Sequence, residues 1–332
     1  MSLQKPNDLV ITKIDETTDP QYGSIPEKRE LTEYMKYGII NLDKPSGPTS
    51  HEIVAWIKRI LKITRAGHGG TLDPKVTGVL PVTLNEATKI SQVFLYSRKE
   101  YVCVMRLHGL VPEDRVNKMF HEFTGRIYQR PPLRSSVSRR LRTRTIYYIK
   151  DIEFGENRVL FRVGCQAGTY IRKLCFDIGE ALGVGAHMEE LRRTKTGSLT
   201  EDDNLVTLYD LFNAHHSWIT SSSEELLRSY IQPMETALQH ISKIYIRDSA
   251  VASICHGAQL AIPGIAKLES RIQRGNLIAL MTLKGELVAL AHATMSSEEI
   301  STSLKGIAAT TTRVIMPVTT YPRLWKKQEE QT

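Results

Sequence analysis

Apolar residues fall along this chain in two periods, and the switches between them mark its elements. Gly38-Ile-Ile-Asn-Leu42 is a short apolar run that predicts a buried strand. Asp43-Lys-Pro-Ser-Gly-Pro48 is turn chemistry. Thr49 then stands three residues before Glu52, the spacing of a capping box. The helix that follows repeats Ile53, Val54, Trp56, Ile57, Ile60 and Leu61 at helical intervals, with Lys58, Arg59 and Lys62 interspersed. Tyr101–Leu107 reads as a strand. Ile146–Phe154 and Val159–Cys165 read as two more, joined by a turn at Gly155-Glu-Asn157. Tyr170–Leu182 predicts a helix with the apolar stripe Ile171, Leu174, Cys175, Ile178, Ala181 and Leu182, ended by Gly183.

The texture then changes. Residues 199–240 are helical and polar, with His-His-Ser and Ser-Ser-Ser breaks, and read as a bridge between domains. Residues 240–322 carry short β-rich runs. Leu277–Leu283 and Glu286–Ala291 form a predicted hairpin turning at Lys284-Gly285, and Arg313–Met316 a late strand. Residues 1–35 are polar, with Pro6, Pro20 and Pro26, and read as an extended arm. A chain of 332 residues suits two domains.

Charge narrows the partners. Lys and Arg number 44 against 36 Asp and Glu, a net +8. That excess favours a polyanion, either nucleic acid or an anionic membrane surface, although many soluble proteins are mildly basic for no specific reason. No apolar run is long enough to span a bilayer, and the polar start Met1–Asp15 is unlike a secretory signal. Cys103, Cys165, Cys175 and Cys255 show no Cys-x-x-Cys spacing and sit among apolar neighbours. They are expected as reduced core thiols of an intracellular protein, with no structural zinc.

Three segments carry candidate chemistry. The first is Gly67-His-Gly-Gly-Thr-Leu-Asp-Pro-Lys-Val-Thr-Gly-Val-Leu-Pro81. Glycines 67, 69, 70 and 78 permit positive φ and close approach to a ligand. Asp73 precedes Pro74, which biases its backbone toward extended geometry and fixes a carboxylate on a stiff loop. A phosphate-cradling loop is a competing reading, but no Gly-Lys-Ser/Thr follows at the Walker spacing. An ordinary turn in which Asp73 caps the backbone is another. The second segment, Cys165-Gln-Ala-Gly-Thr-Tyr-Ile-Arg172, joins a strand to the long helix. Arg172 lies in the first turn, where the helix dipole disfavours a cation, so it calls for a carboxylate or phosphate partner. The third holds Arg126, Arg130, Arg134, Arg139, Arg140, Arg142 and Arg144, interleaved with Tyr128, Pro131, Pro132, Tyr147 and Tyr148. Arginine forks suit phosphates, and aromatic faces suit unstacked bases.

Asp43-Lys-Pro-Ser-Gly-Pro-Thr-Ser50, Gly67-His-Gly-Gly-Thr-Leu-Asp-Pro74 and Gly168-Thr-Tyr-Ile-Arg172 resemble, in order, the signature segments of the TruB family of pseudouridine synthases. The resemblance continues through Lys99-Glu-Tyr101, Gln129-Arg-Pro-Pro132 and residues 183–193. His51-Glu-Ile-Val-Ala-Trp-Ile57 and Thr320-Tyr-Pro-Arg-Leu-Trp325 resemble the archaeal and eukaryotic, dyskerin-type branch. Asp248-Ser-Ala250, His256-Gly-Ala258 and Ile262-Pro-Gly264 resemble a PUA domain, a small RNA-binding pseudobarrel. The chain lacks the long Lys-rich tails of eukaryotic members, which points to an archaeal source and a cytoplasmic location. Asn85 departs from the pattern where a glycine is common, and Ser138 where a basic residue is common.

The resemblance implies an α+β chain. A catalytic domain at 36–235 would have a central mixed, largely antiparallel sheet with flanking helices and a thumb loop at about 126–146. A PUA domain would occupy 240–325, with the extension 1–35 packing on it. It further implies isomerisation of uridine to pseudouridine in RNA with no cofactor or metal, since nothing is oxidised and nothing is added. Asp73 would be the nucleophile, with Arg172 paired to it and Tyr101 stacked on a flipped-out uracil. His68 would hold the RNA open, and Leu191 would line the pocket wall. Lys44 is placed among the RNA-contacting groups, although loop support suits it better than chemistry. Arg130, Arg134, Arg139, Arg140, Arg142 and Arg144 would grip RNA from the thumb, and Gly257 and Gly264 from the PUA domain. In this branch an H/ACA guide RNA selects the target in ribosomal RNA, and small companion proteins complete the particle. A standalone transfer-RNA enzyme and a non-catalytic RNA-binding scaffold are the rival readings.

Overall fold

The computed structural model describes residues 9–131, 138 and 140–323. Two units emerge, one from residues 38–232 and the other from the N-terminal arm together with residues 233 onward.

The chain enters with a short strand β1 (Val10–Thr12) and a helix α1 (Leu31–Lys36), both of the second unit. The first unit begins at β2 (Gly38–Lys44), longer than the sequence suggested, since Asp43 and Lys44 still pair with β4 (Thr77–Leu84). Between them come α2 (Ser50–Leu61) and the short strand β3 (Ala66–His68). Thr49 and Glu52 form the predicted capping box, and Ile53, Ile57 and Leu61 face the core while Trp56 stays 38% exposed. A short helix α3 (Ser91–Tyr96) precedes β5 (Lys99–Leu107). Asn85, standing where glycine is common, has φ 39°. Asparagine is one of the few side chains that tolerate that left-handed geometry.

Helix α4 (Glu113–Glu122) leads to β6 (Gly125–Gln129), β7 (Arg142–Phe154) and β8 (Arg158–Cys165). Then come α5 (Ile171–Leu182), β9 (Ala186–Thr196) and β10 (Leu199–Thr200). The sheet runs β2-β4-β9-β5-β8-β7-β6, with β3 on β4 and β10 on β9. Only β4–β9 among these neighbours is parallel. This is the mixed, largely antiparallel sheet expected. Helix α5 seals one face through Ile171, Leu174, Cys175, Ile178 and Leu182, against Cys103, Met105, Phe161 and Val163. Ala181 is exposed and Gly179 takes its place on the buried stripe. Gly183 ends the helix at φ 79°. Residues read as a bridge fold as α6 (Leu208–Ser221) and α7 (Glu225–Tyr230) and belong to this unit.

A two-residue strand β11 (Gln232–Pro233) falls on the boundary to the second unit, whose further elements are β12 (Ser242–Ile246), α8 (Asp248–Cys255), β13 (Leu260–Ala261), β14 (Ile265–Glu269), β15 (Leu277–Met281), β16 (Leu287–Ala293), α9 (Ser297–Thr302) and β17 (Ile307–Val314). The predicted hairpin is β15–β16, with Gly285 at φ 85°. The last strand starts earlier than predicted, because Ile307–Val314 pairs with β16 while Ile315 and Met316 lie past it. The sheet order is β1-β14-β12-β15-β16-β17-β13. The arm is therefore part of this unit: β1 pairs antiparallel with β14, and the Lys13 ammonium donates to the carbonyls of Ile300 and Ser303 at the end of α9. Arg29 and Glu235, both nearly buried, form a bidentate pair at 2.8 and 3.1 Å.

Candidate active site

Strand β4 carries β2 on one edge. Its other edge is shared by β3 at residues 82–84 and by β9 at residues 77–78. The loop 69–76 enters β4 at this change of partner, and nearly every residue of it is tied down. The Gly69 N–H donates to the Pro81 carbonyl at 2.8 Å, and a Cβ on Gly69 would strike the Phe94 ring. Gly70 has φ 132°, and its carbonyl accepts from Arg193 Nη2 at 3.0 Å. The buried Ser50 hydroxyl accepts from the Leu72 N–H at 2.9 Å and donates to the Leu72 carbonyl at 3.2 Å. The Lys44 ammonium donates to the carbonyls of Pro45, Pro74 and Val76 at 2.8, 2.8 and 3.0 Å. The Gly47 N–H adds a second bond to the Pro74 carbonyl, and the Val76 N–H closes a turn on the Asp73 carbonyl, each at 3.0 Å. Buried polar groups thus satisfy the loop backbone, and its exposed product is the Asp73 carboxylate.

Arg172 meets that carboxylate from the first turn of α5 and forms an ion pair with it. The two side chains are 53% and 54% exposed, so the pair is open to solvent and to a ligand. Tyr101 lies on β5 opposite Arg193 of β9. Burial holds the pKa of its hydroxyl up, and the charge of the neighbouring Arg193 guanidinium pulls in the opposite direction. Leu191 registers with Cys103 and packs, like Tyr101, on the cluster sealed by α5. His68 ends β3, and its Nδ1 accepts from the Gly70 N–H at 3.4 Å. Its ring lies 5.1 Å from that of His51. Burial, then the charges of His51 and Arg193, hold its pKa below the ordinary value and favour the neutral ring.

Lys44 corrects one expectation. It is 0% exposed and its ammonium is spent on three carbonyls, so it braces the loop and offers nothing to RNA. Of the four glycines, only Gly70 and Gly78 have positive φ. Gly67 continues β3, and Gly69 is needed for space against Phe94. Three supporting residues escaped the sequence reading. Ser50 was read only as part of a motif. Arg193 is 1% exposed and donates to the carbonyls of Val79 and Gly70. Lys99 is 7% exposed and donates to the carbonyls of Phe94, Leu95 and Ser97, and burial, aided by Arg193, pushes its pKa down to about 7. Single arginines and lysines in strands give no sequence signal of burial; only Lys99, two residues before a motif tyrosine, offered a hint.

In the arginine-rich segment, Arg134 and Arg139 lie outside the described residues. Arg130 and Arg140 are exposed. Arg142 donates to the Ser138 carbonyl at 3.3 Å. Arg144 is turned inward, with Nε on the Gly168 carbonyl at 3.1 Å. Two of the aromatics grouped with them are already engaged. Tyr148 donates its hydroxyl to Glu100 and lays its ring where a Gly164 side chain would stand, and Tyr147 stacks with Arg98 at 4.1 Å. Tyr128 is 70% exposed and keeps its face free. It lines a cavity of about 880 Å³ with Phe123, Ile127, Arg130, Arg172 and Phe176. In the other unit, Gly257 has φ 87° with open space around it, while Gly264 packs on Ala250. All four cysteines are buried and free, with Cys103 and Cys175 sulfurs 3.6 Å apart.

Comparison with known proteins agrees with these segments. Family models match at residues 1–54 (DKCLD domain), 58–115 (TruB family pseudouridylate synthase, N-terminal domain), 172–239 (tRNA pseudouridylate synthase B C-terminal domain) and 242–315 (PUA domain). A Pyrococcus furiosus protein named Probable tRNA pseudouridine synthase B is 55% identical over 97% of this chain and 95% of its own length. A Methanosarcina barkeri protein of the same name is 54% identical over 97% of this chain and 95% of its own length. Among solved structures, a chain of a Cbf5-Nop10-Gar1 complex is 55% identical, covers 96% of this chain and 98% of its own, and superposes with a TM-score of 0.91. A chain from an H/ACA ribonucleoprotein bound to a substrate RNA containing 2′-deoxyuridine is 53% identical, with coverage of 96% and 97% and a TM-score of 0.89.

Proposed function

From the premise that this chain belongs to the TruB family of pseudouridine synthases, we propose that it isomerises uridines as the catalytic subunit of a guide-RNA-dependent H/ACA particle. The enzyme class follows from the family. The guided role rests on full-length likeness to proteins solved with Nop10 and Gar1, and in an H/ACA particle with substrate RNA. Its partners are then an H/ACA guide RNA, a substrate RNA and small companion proteins of that kind.

The observation that carries the chemistry is the Asp73–Arg172 pair on a braced loop. Breaking the N1–C1′ bond of uridine and rejoining the base through C5 needs a nucleophile, a held base and a proton path. Asp73 is the nucleophile, attacking the nucleoside and splitting one hard step into two. Arg172 pairs with its carboxylate and aims it. Tyr101 receives the flipped uracil against its ring, with Leu191 in the pocket wall, and its hydroxyl assists proton movement at C5. His68, neutral and beside the loop, holds the RNA open. Exposed Arg130 and Arg140 supply phosphate contacts, which position RNA without reading its sequence, and the PUA unit grips the guide around Gly257.

A second reading, a standalone transfer-RNA enzyme, is favoured by the names of the relatives. Tritium release from C5-labelled uridine separates the two. Release that requires the guide and companions supports the particle. Equal release from transfer RNA by the lone chain supports the second reading, and silence from every mixture supports a scaffold.

A further inference from the structure

The strand-to-helix turn that delivers Arg172 is held from outside its own elements. Gln129, the last residue of β6, is 2% exposed. Its Oε1 accepts from the Tyr170 N–H at 3.0 Å and its Nε2 donates to the Tyr170 carbonyl at 3.1 Å. Tyr170 is the N-cap of α5, and no side chain of its own helix caps it. The amide of Gln129 therefore supplies an acceptor to an N–H at the start of the helix. It also uses the second lone pair of a carbonyl that already accepts from Leu174 at 3.0 Å. β7 grips the same turn: the Thr145 N–H donates to Gln166 Oε1 at 3.1 Å, and Arg144 Nε to the Gly168 carbonyl at 3.1 Å. Gly168 sits at φ 76°, the geometry that lets this carbonyl face Arg144.

We infer that Gln129 is a positioning residue for the reaction, fixing Tyr170 so that Arg172, two residues on, meets Asp73 at a set angle. The inference rests on the reading that the Asp73–Arg172 pair is catalytic. A side chain that bonds both backbone groups of one residue fixes its peptide planes, and in the first turn of a helix that direction is inherited by the next residues. Without it, α5 would still pack through Ile171 and Leu174, but its first turn would fray, and fraying of about an ångström at a reacting centre costs on the order of 100-fold in rate.

The test is single-turnover pseudouridine formation by the full chain with guide, substrate and companions. Gln129→Met keeps the length of the side chain and loses both bonds. It is expected to lower the rate about 10- to 100-fold while RNA dissociation stays as in the wild type and unfolding remains a single cooperative transition at a lower midpoint. Exchange of the Tyr170 amide hydrogen should quicken alongside. In an Arg172→Lys background, the same substitution should cost less than threefold or so, because the group it positions is gone. Gln129→Asn, which keeps an amide but is too short to reach both backbone groups of Tyr170, should fall between wild type and Gln129→Met, and it serves if the methionine variant does not fold. A wild-type rate in these Gln129 variants, or an equal loss in both backgrounds, overturns the inference. A full-rate Arg172→Ala would instead remove the reading beneath it.

Discussion

Lys44 donates to the carbonyl of Pro74, the residue after Asp73, at 2.8 Å, from a side chain with no exposed surface. A cation stripped of water and given no carboxylate is costly unless carbonyls replace its solvent. Here three do. Burial alone pushes its pKa below the ordinary value. The first signature segment, Asp43–Ser50, is thus largely scaffolding for the second: Lys44, Gly47 and Ser50 each bond the loop that presents Asp73.

Replacing Lys44 with methionine should therefore separate bracing from binding. Three carbonyls lose a donor, which should cost about 1–3 kcal/mol of stability. Loosening of the loop should slow isomerisation on the order of 100-fold, with RNA affinity unchanged. Urea unfolding and single-turnover rates check this, and a selective loss of RNA affinity would return Lys44 to the RNA-binding surface.

Gly78 and Gly125 have similar backbones, at φ 99° and 113°, but different surroundings. A Cβ on Gly78 would strike the Arg193 carbonyl, whereas one on Gly125 meets nothing within 4 Å. Gly125→Ala should cost about 1–2 kcal/mol, the strain of positive φ alone. Gly78→Ala should cost about 3 kcal/mol or more, since β4 and β9 must also part. Thermal unfolding of both variants measures the difference, and equal costs would contradict the packing described.

Lys99 gives the fold a pH dependence. Its folded pKa of about 7 lies below the ordinary 10.5. Between those values the unfolded chain holds the extra proton, so stability rises with pH across the window, by at most about 1.4 kcal/mol per unit. Below pH 7 both states are protonated and the burial penalty is felt in full. Lys99→Met lacks this dependence. Its stability relative to wild type should therefore be most favourable near pH 6.5 and decline steadily toward pH 9.5 in urea titrations; a constant gap would contradict the burial argument.

Arg140 is exposed at the root of the arginine-rich segment. If it contacts a phosphate, Arg140→Ala should weaken binding uniformly across RNA sequences and reduce the slope of log affinity on log salt by about 1. Filter-binding titrations from low to moderate salt measure this, and an unchanged slope would place Arg140 off the RNA path.

Elements with a clean period were legible in the sequence. Helix α2 announced itself by its capping box and its stripe of Ile53, Ile57 and Leu61, and α5 by a stripe ended at Gly183. Strands β4 and β9 were not. β4 contains Gly78 and Pro81, which read as loop, yet its neighbours on both edges bury it almost completely. β9 is Ala-His-Met-Glu-Glu-Leu-Arg-Arg-Thr-Lys-Thr, polar at most positions, and lies between β4 and β5. Its two arginines find partners: Arg192 bonds Asp43 and Glu201, and Arg193 bonds backbone carbonyls. No local pattern encodes such compensation, because the partners come from distant segments. The same holds for the site. Asp73 and Arg172 were visible as unusual residues, but the bracing of the loop by Ser50 and Arg193 exists only once distant elements come together.

The most direct test of the account is pseudouridine formation under single turnover by Asp73→Asn beside the wild type, with guide RNA, C5-tritiated substrate and companion proteins. The substitution keeps the shape of the loop while removing the charge that Arg172 faces. The wild type should release tritium and Asp73→Asn none, with RNA binding retained in both. Release by Asp73→Asn at the wild-type rate would contradict it.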